Sequence, residues 1–81
     1  MMDITLHILS PEGTLAETPV SQVSLPGAAG PFVVLKDHAP LITSLTKGEV
    51  VYLTDAGEQR LPVQGGFVEV LHNLVTVCVE G

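Results

Sequence analysis

The stretch GGFVEVLHNLVTVCVE, residues 65–80, decides the fold. Successive side chains of an extended chain point to opposite faces, so Val68 and Val70 oppose Phe67 and Leu71. Beyond His72-Asn73 the same rule sends Val75, Val77 and Val79 to one side and Leu74 and Cys78 to the other. The polar break between the two runs predicts a hairpin. Its oddity is that both faces are substantially apolar. A small antiparallel sheet usually buries one face and wets the other. The second face is therefore either covered by another segment of the chain or offered to a partner, and a carboxylate placed at Val77 tests the docking face if that is the exposed one.

The rest of the chain is built of similar pieces. Ile4, Leu6 and Ile8 alternate with Asp3, Thr5 and His7, as a half-buried strand demands. SPEG at 10–13 then supplies Pro and Gly where a tight turn needs a fixed and a permissive φ. PGAAGP at 26–31, KDHAP at 36–40, TKG at 46–48, DAG at 55–57 and GG at 65–66 repeat this punctuation between short runs of Val, Ile, Leu, Phe and Thr. No window shows a helical period. The reading is all-β: a small flattened sandwich or barrel of about eight to ten short antiparallel strands, forming one domain over residues 1–81.

Composition narrows the function. Nine acidic residues against three basic ones give a net charge of −6, and Lys36, Lys47 and Arg60 are scattered. A nucleic-acid face must neutralise several phosphates at once, and an anionic lipid surface asks for similar basic clusters, so both are excluded. Cys78 is the single cysteine. It can form no internal disulfide and reads as a small strand hydrophobe in a reducing compartment. No run approaches the ~20 apolar residues of a membrane span. Any membrane link is expected to come through a partner rather than direct insertion. Yet 46% of the residues are hydrophobic, more than so small a core can hide.

The chemistry-bearing residues do not assemble into a catalytic pattern. No G-x-S-x-G elbow is present, and Cys78 sits in mid-strand, where alternation predicts packing rather than an activated thiolate. Glu69, the one acid inside a strand, reads as a solvent-facing residue of the alternation. His7, His38 and His72 stand in three unrelated contexts with no metal-ligand spacing. The glycines of PGAAGP lead into Pro31 and an extended run, not into a helix N-terminus that could hold phosphate. They describe a loop tip whose Ala28 and Ala29 offer a small, uncharged surface. In KDHAP, Asp37 can close a turn and Pro40 steers Ala39 into extended geometry. His38 then either bonds locally or projects toward a partner. The residues by themselves describe an acidic β-sandwich suited to docking more than to catalysis.

Taken together, SPEGTL at 10–15, VSLPGAAGPFVVLKDHAPLITSLTKGEV at 23–50 and VQGGFVEVLHNLVTV at 63–77 resemble the epsilon subunits of F-type ATP synthases. The resemblance runs in order along almost the whole chain. It implies a ten-stranded β-sandwich at the foot of the rotating central stalk. Such a subunit is non-catalytic, carries no cofactor or metal in this domain, and couples the membrane-embedded c-ring to the gamma subunit so that proton or sodium flow drives ATP synthesis. Ala28, Ala29, Gly30 and Pro31 match the region placed near the c-ring. His38, Ala39, Pro40 and Thr43 match the region beside gamma. The implied location is peripheral, on the cytoplasmic face of a bacterial cell membrane, with no small-molecule ligand expected.

Two departures from the family pattern stand out. Asp37 occupies a position before His that is often glycine, which constrains the turn. Most members continue into a C-terminal helical hairpin associated with inhibition of ATP hydrolysis and, in some, with ATP binding, whereas this sequence ends at VTVCVEG; neither property is carried to these residues. The competing reading is a small β-sandwich domain of a metabolic enzyme or carrier that recognises a small ligand.

Overall fold

In the computed structural model, alternation of apolar and polar residues translates directly into strands. The structure describes residues 2–80; Met1 and Gly81, the ends of the domain read from the sequence, lie outside the described residues. Nine strands follow in order: β1 (Ile4–Ser10), β2 (Gly13–Val20), β3 (Gln22–Leu25), β4 (Phe32–Val34), β5 (Leu41–Leu45), β6 (Gly48–Thr54), β7 (Gly57–Val63), β8 (Gly66–Leu71) and β9 (Leu74–Val79). They form a five-stranded sheet in the order β2-β1-β9-β8-β5 and a four-stranded sheet in the order β4-β3-β6-β7.

The all-β sandwich read from the sequence is the fold observed, with two differences. The resemblance implies ten strands and nine are described. Gly27 makes only an isolated bridge to Leu45. Its carbonyl accepts from the Gly30 amide at 3.0 Å, which closes a turn before a ladder can extend. The second difference is direction. β1 and β9 pair in parallel, Leu6 opposite Val75 and Ile8 opposite Val77, while every other ladder is antiparallel. No hairpin joins these two strands, so the turn geometry that forces antiparallel neighbours does not apply.

The predicted hairpin is β8 and β9. His72 and Asn73 have φ of 49° and 62°, the positive pair that matches a two-residue turn to the twist of its strands. Inward, Val68, Val70, Val75 and Val77 join Ile4, Leu6 and Ile8 of β1 and Val20, Val23, Leu25, Val34 and Val50 in one core. Each such side chain contributes roughly 1.5–3 kcal/mol by leaving water. No buried polar or charged residue interrupts that core among the described residues. Val77 is fully buried between Ile8 and Val68. A carboxylate there would be an unpaired charge in the core, so Val77→Asp tests folding and not docking. The exposed side of the hairpin is the one carrying Phe67, Leu71 and Leu74.

Candidate docking face and loop ends

The outer surface of the five-stranded sheet follows from strand register. Ile42 on β5 lies opposite Glu69 on β8, which lies opposite Thr76 on β9, which lies opposite His7 on β1, which lies opposite Glu17 on β2. On one side of that row Ser44, Phe67, Cys78 and Leu9 stand in line; on the other, Leu71, Leu74, Thr5 and Pro19. Ile42 is 71% exposed, Phe67 51%, Leu71 43% and Leu74 44%. Ile42 is diagonal to both Phe67 and Leu71, close enough for long side chains to touch. These four form one contiguous exposed apolar patch, a kind of surface that is often functional on a small protein. An open trough of about 420 Å³ runs along it, lined by Pro40, Leu41, Ile42, Glu69, Val70 and Leu71.

The His38 loop borders this face. The chain leaves β4 through Leu35 and turns at residues 36–37, with the His38 amide bonding back to the Leu35 carbonyl at 3.2 Å. Asp37 takes a φ of 62°, a left-handed conformation that costs most residues but suits glycine, asparagine and aspartate. Asn73 of the hairpin turn holds it there. Asn73 Oδ1 accepts from the Asp37 amide at 2.6 Å, and Asn73 Nδ2 donates to Asp37 Oδ1 at 3.0 Å. His38 Nδ1 donates to the Ala39 carbonyl at 2.7 Å, which leaves Nε2 as the free ring nitrogen. His38 is half-buried, Ala39 and Pro40 are exposed, and a shallow cleft of about 270 Å³ is lined by Asp37, His38, Pro40, His72 and Asn73. Thr43 is different: it pairs with buried Val68 on the inward side of β5 and is half-buried. The outward neighbour is Ile42, which alternation from the His-Ala-Pro motif could have singled out.

At the other end of β5 stands the tip. Ala28, Ala29, Gly30 and Pro31 are all exposed, and the Ala28 amide donates to the Ser44 carbonyl at 2.9 Å. Gly27 beneath them is buried, and a side chain there would run into the Gly30 carbonyl and the Phe32 ring. The tip is thus built with no room for substitution at its base and no charge at its crest. The four tip residues come together, as do His38, Ala39 and Pro40, but the two groups sit at opposite ends of β5.

Electrostatically the outer face carries Glu69 and Glu17 and no lysine or arginine. Arg60 lies on the other sheet, held by Glu58 at 2.8 Å and Glu49 at 3.1 Å, and these carboxylates, Glu58 first, raise its pKa. Lys36 approaches Asp3 at 4.0 Å. No three or more His, Cys, Asp or Glu side chains converge to hold a metal among the described residues. The three histidines are divided: His38 and His72 line one cleft, and His7 lies near Thr14. Among the described residues, no helix is long and apolar enough to cross a membrane.

The family model described as the beta-sandwich domain of the ATP synthase Delta/Epsilon chain matches residues 3–81. The chain belongs to this family. Among similar relatives, the ATP synthase epsilon chain of Symbiobacterium thermophilum is 40% identical over 81 residues, covering 99% of this chain and 58% of that protein. The epsilon chain of Desulfitobacterium hafniense is 38% identical over 76 residues, covering 94% and 58%. The chain therefore spans somewhat over half the length of the curated relatives it matches. A chain of the Euglena gracilis mitochondrial ATP synthase superposes with a TM-score of 0.88 at 20% identity, covering 98% of this chain and 51% of the other. One from the Tetrahymena thermophila mitochondrial ATP synthase central stalk and c-ring gives 0.79 at 15%, covering 98% and 64%. At such identities the two structures share the sandwich fold of this Delta/Epsilon-type domain.

Proposed function

We propose that this chain is a non-catalytic central-stalk component of a rotary ATP synthase, acting as one stiff sandwich between the gamma subunit and the c-ring. In this reading the part of the outer face around Ile42, Phe67, Leu71 and Leu74, on β5, β8 and β9, seats on gamma together with the adjoining His38 loop. β2 at the far edge stays clear of gamma, and the tip at residues 28–31 meets the ring. The complex would lie peripherally on the cytoplasmic face of a bacterial membrane. The observation that carries the reading is the exposed row Ile42, Phe67, Leu71 and Leu74 in a chain of this family. Such a face, left in water, would be a liability for a domain that acted alone.

Ile42→Asp tests it, because Ile42 is the most exposed of the four and its replacement spares the core. The variant is expected to fold as the native chain does, to bind purified gamma at least tenfold more weakly, and to lower ATP-driven ion pumping by the reassembled complex. Native-level gamma binding by the variant would count against the face. A chain that never co-purifies with gamma from solubilised membranes would sink the reading altogether.

A further inference from the structure

Glu69 is the feature of this face that packing leaves unexplained. It stands on β8 with Phe67 and Leu71 two residues away on either side, and with Ile42 directly across on β5. It is exposed, and no ion pair among the described residues includes it. An isolated carboxylate in the middle of an apolar patch makes no ion pair that stabilises the free protein. Beneath a partner it would be stripped of water by the hydrocarbon around it, which is costly unless a positive group arrives with the partner.

We propose that Glu69 is a specificity-determining residue of the docking face, accepting one lysine or arginine from a basic, apolar polypeptide surface. The inference rests on the docking reading above and names the chemistry of the occupant. The charge of the face selects that occupant. The strands of the outer face hold Glu69 and Glu17, His7 as their single imidazole, and no lysine or arginine, and the bordering loop adds His38 and Lys36, the latter 4.0 Å from Asp3. A second copy of the chain laid face to face would bring carboxylates against carboxylates. An anionic lipid surface would be repelled by the same groups and by the net charge of −6. A polypeptide that presents one basic side chain inside an apolar rim satisfies both features, because the excluded water strengthens the pair.

The test is titration of purified gamma with the full chain and with Glu69→Gln, Glu69→Lys and Glu17→Gln, each at low and at moderate salt. Thermal unfolding should be unchanged in all three, since both positions are exposed. Glu69→Gln is expected to weaken binding about tenfold and to flatten its salt dependence, and Glu69→Lys to weaken it further. Glu17→Gln, on the edge strand, should bind like the native chain. Native affinity and salt dependence in Glu69→Gln would overturn the proposal while leaving the docking reading intact. Equal losses in Glu17→Gln would overturn it in favour of a diffuse field, and sedimentation of the chain alone as a face-to-face dimer would overturn it too. No binding of gamma by the native chain removes the docking reading and this inference with it.

Discussion

Single residues in this chain are constrained most tightly where backbone meets backbone. Gly66 opens β8 with a φ of 137°, and a side chain there would drive into the Cys78 carbonyl of the neighbouring strand. Gly13, at the β1–β2 turn, has nearly the same φ, 135°, but open space where its side chain would be. The pair separates two costs that are usually confounded. Gly13→Ala should lose about 1–2 kcal/mol from backbone strain alone. Gly66→Ala should lose about 3 kcal/mol or more, since the ladder must also part to relieve the overlap. Chemical denaturation of both variants measures the difference, and equal losses would show that the β8–β9 ladder yields freely at its end. The Gly-Gly in the sequence reads as punctuation; its real requirement, a close approach to the Cys78 carbonyl, comes from the backbone path at the mouth of the β8–β9 ladder, which alternation of side chains does not describe.

At the level of elements, the same division between local pattern and remote partner explains what was legible. β8, β9 and their turn follow from alternation and from His72-Asn73; which face of the hairpin is exposed does not, because alternation separates the valines from Phe67, Leu71 and Leu74 without saying which side the second sheet covers. The parallel β1–β9 pair does not follow either, because Leu6 and Val75 are joined by no turn and the alternation of each is indifferent to its neighbour. The motif match names Thr43, which faces inward, and not Ile42, which faces outward, because a step of one residue reverses the face of a strand. The Asp37–Asn73 clasp was also hidden: it needs the β4–β5 loop and the β8–β9 turn at one end of the sheet, 36 residues apart in sequence. Its consequence can be measured. Asn73→Gly keeps the left-handed turn but deletes both clasp bonds, each worth about 1 kcal/mol. Amide exchange at residues 36–39 should accelerate about tenfold or more, while protection in β8 and β9 stays close to native. Unchanged exchange at Asp37 would show that the loop is held by something other than this clasp.

The molecule measures 30 × 24 × 18 Å, and β5 runs between the His38 loop and the tip. His38 and Pro40 precede Leu41, whereas the tip is tied to Ser44, near the other end of the strand and roughly 10 Å from Leu41 at the rise of an extended chain. Between them β5 is hydrogen-bonded to β8 along its full length, Leu41 with Val70 through Leu45 with Gly66. A load applied at the tip is therefore passed, through the Ala28–Ser44 bond and the Gly27–Leu45 bridge, into a laddered sheet backed by an apolar core. If the chain couples two rotor parts in this way, its two attachments are separable by mutation even though its stiffness is shared. Ala29→Arg adds bulk and charge at an exposed position of the tip and touches neither the core nor the outer face. It should leave the unfolding midpoint and the affinity for gamma within about twofold of native, yet reduce ATP-driven ion pumping in the reassembled complex. Ile42→Asp should reduce both gamma binding and pumping, with ATP hydrolysis persisting uncoupled. Parallel gamma titrations and pumping assays on the two variants decide the matter: if Ala29→Arg also abolishes gamma binding, the tip and the face are one attachment, and the sandwich is no bridge between two.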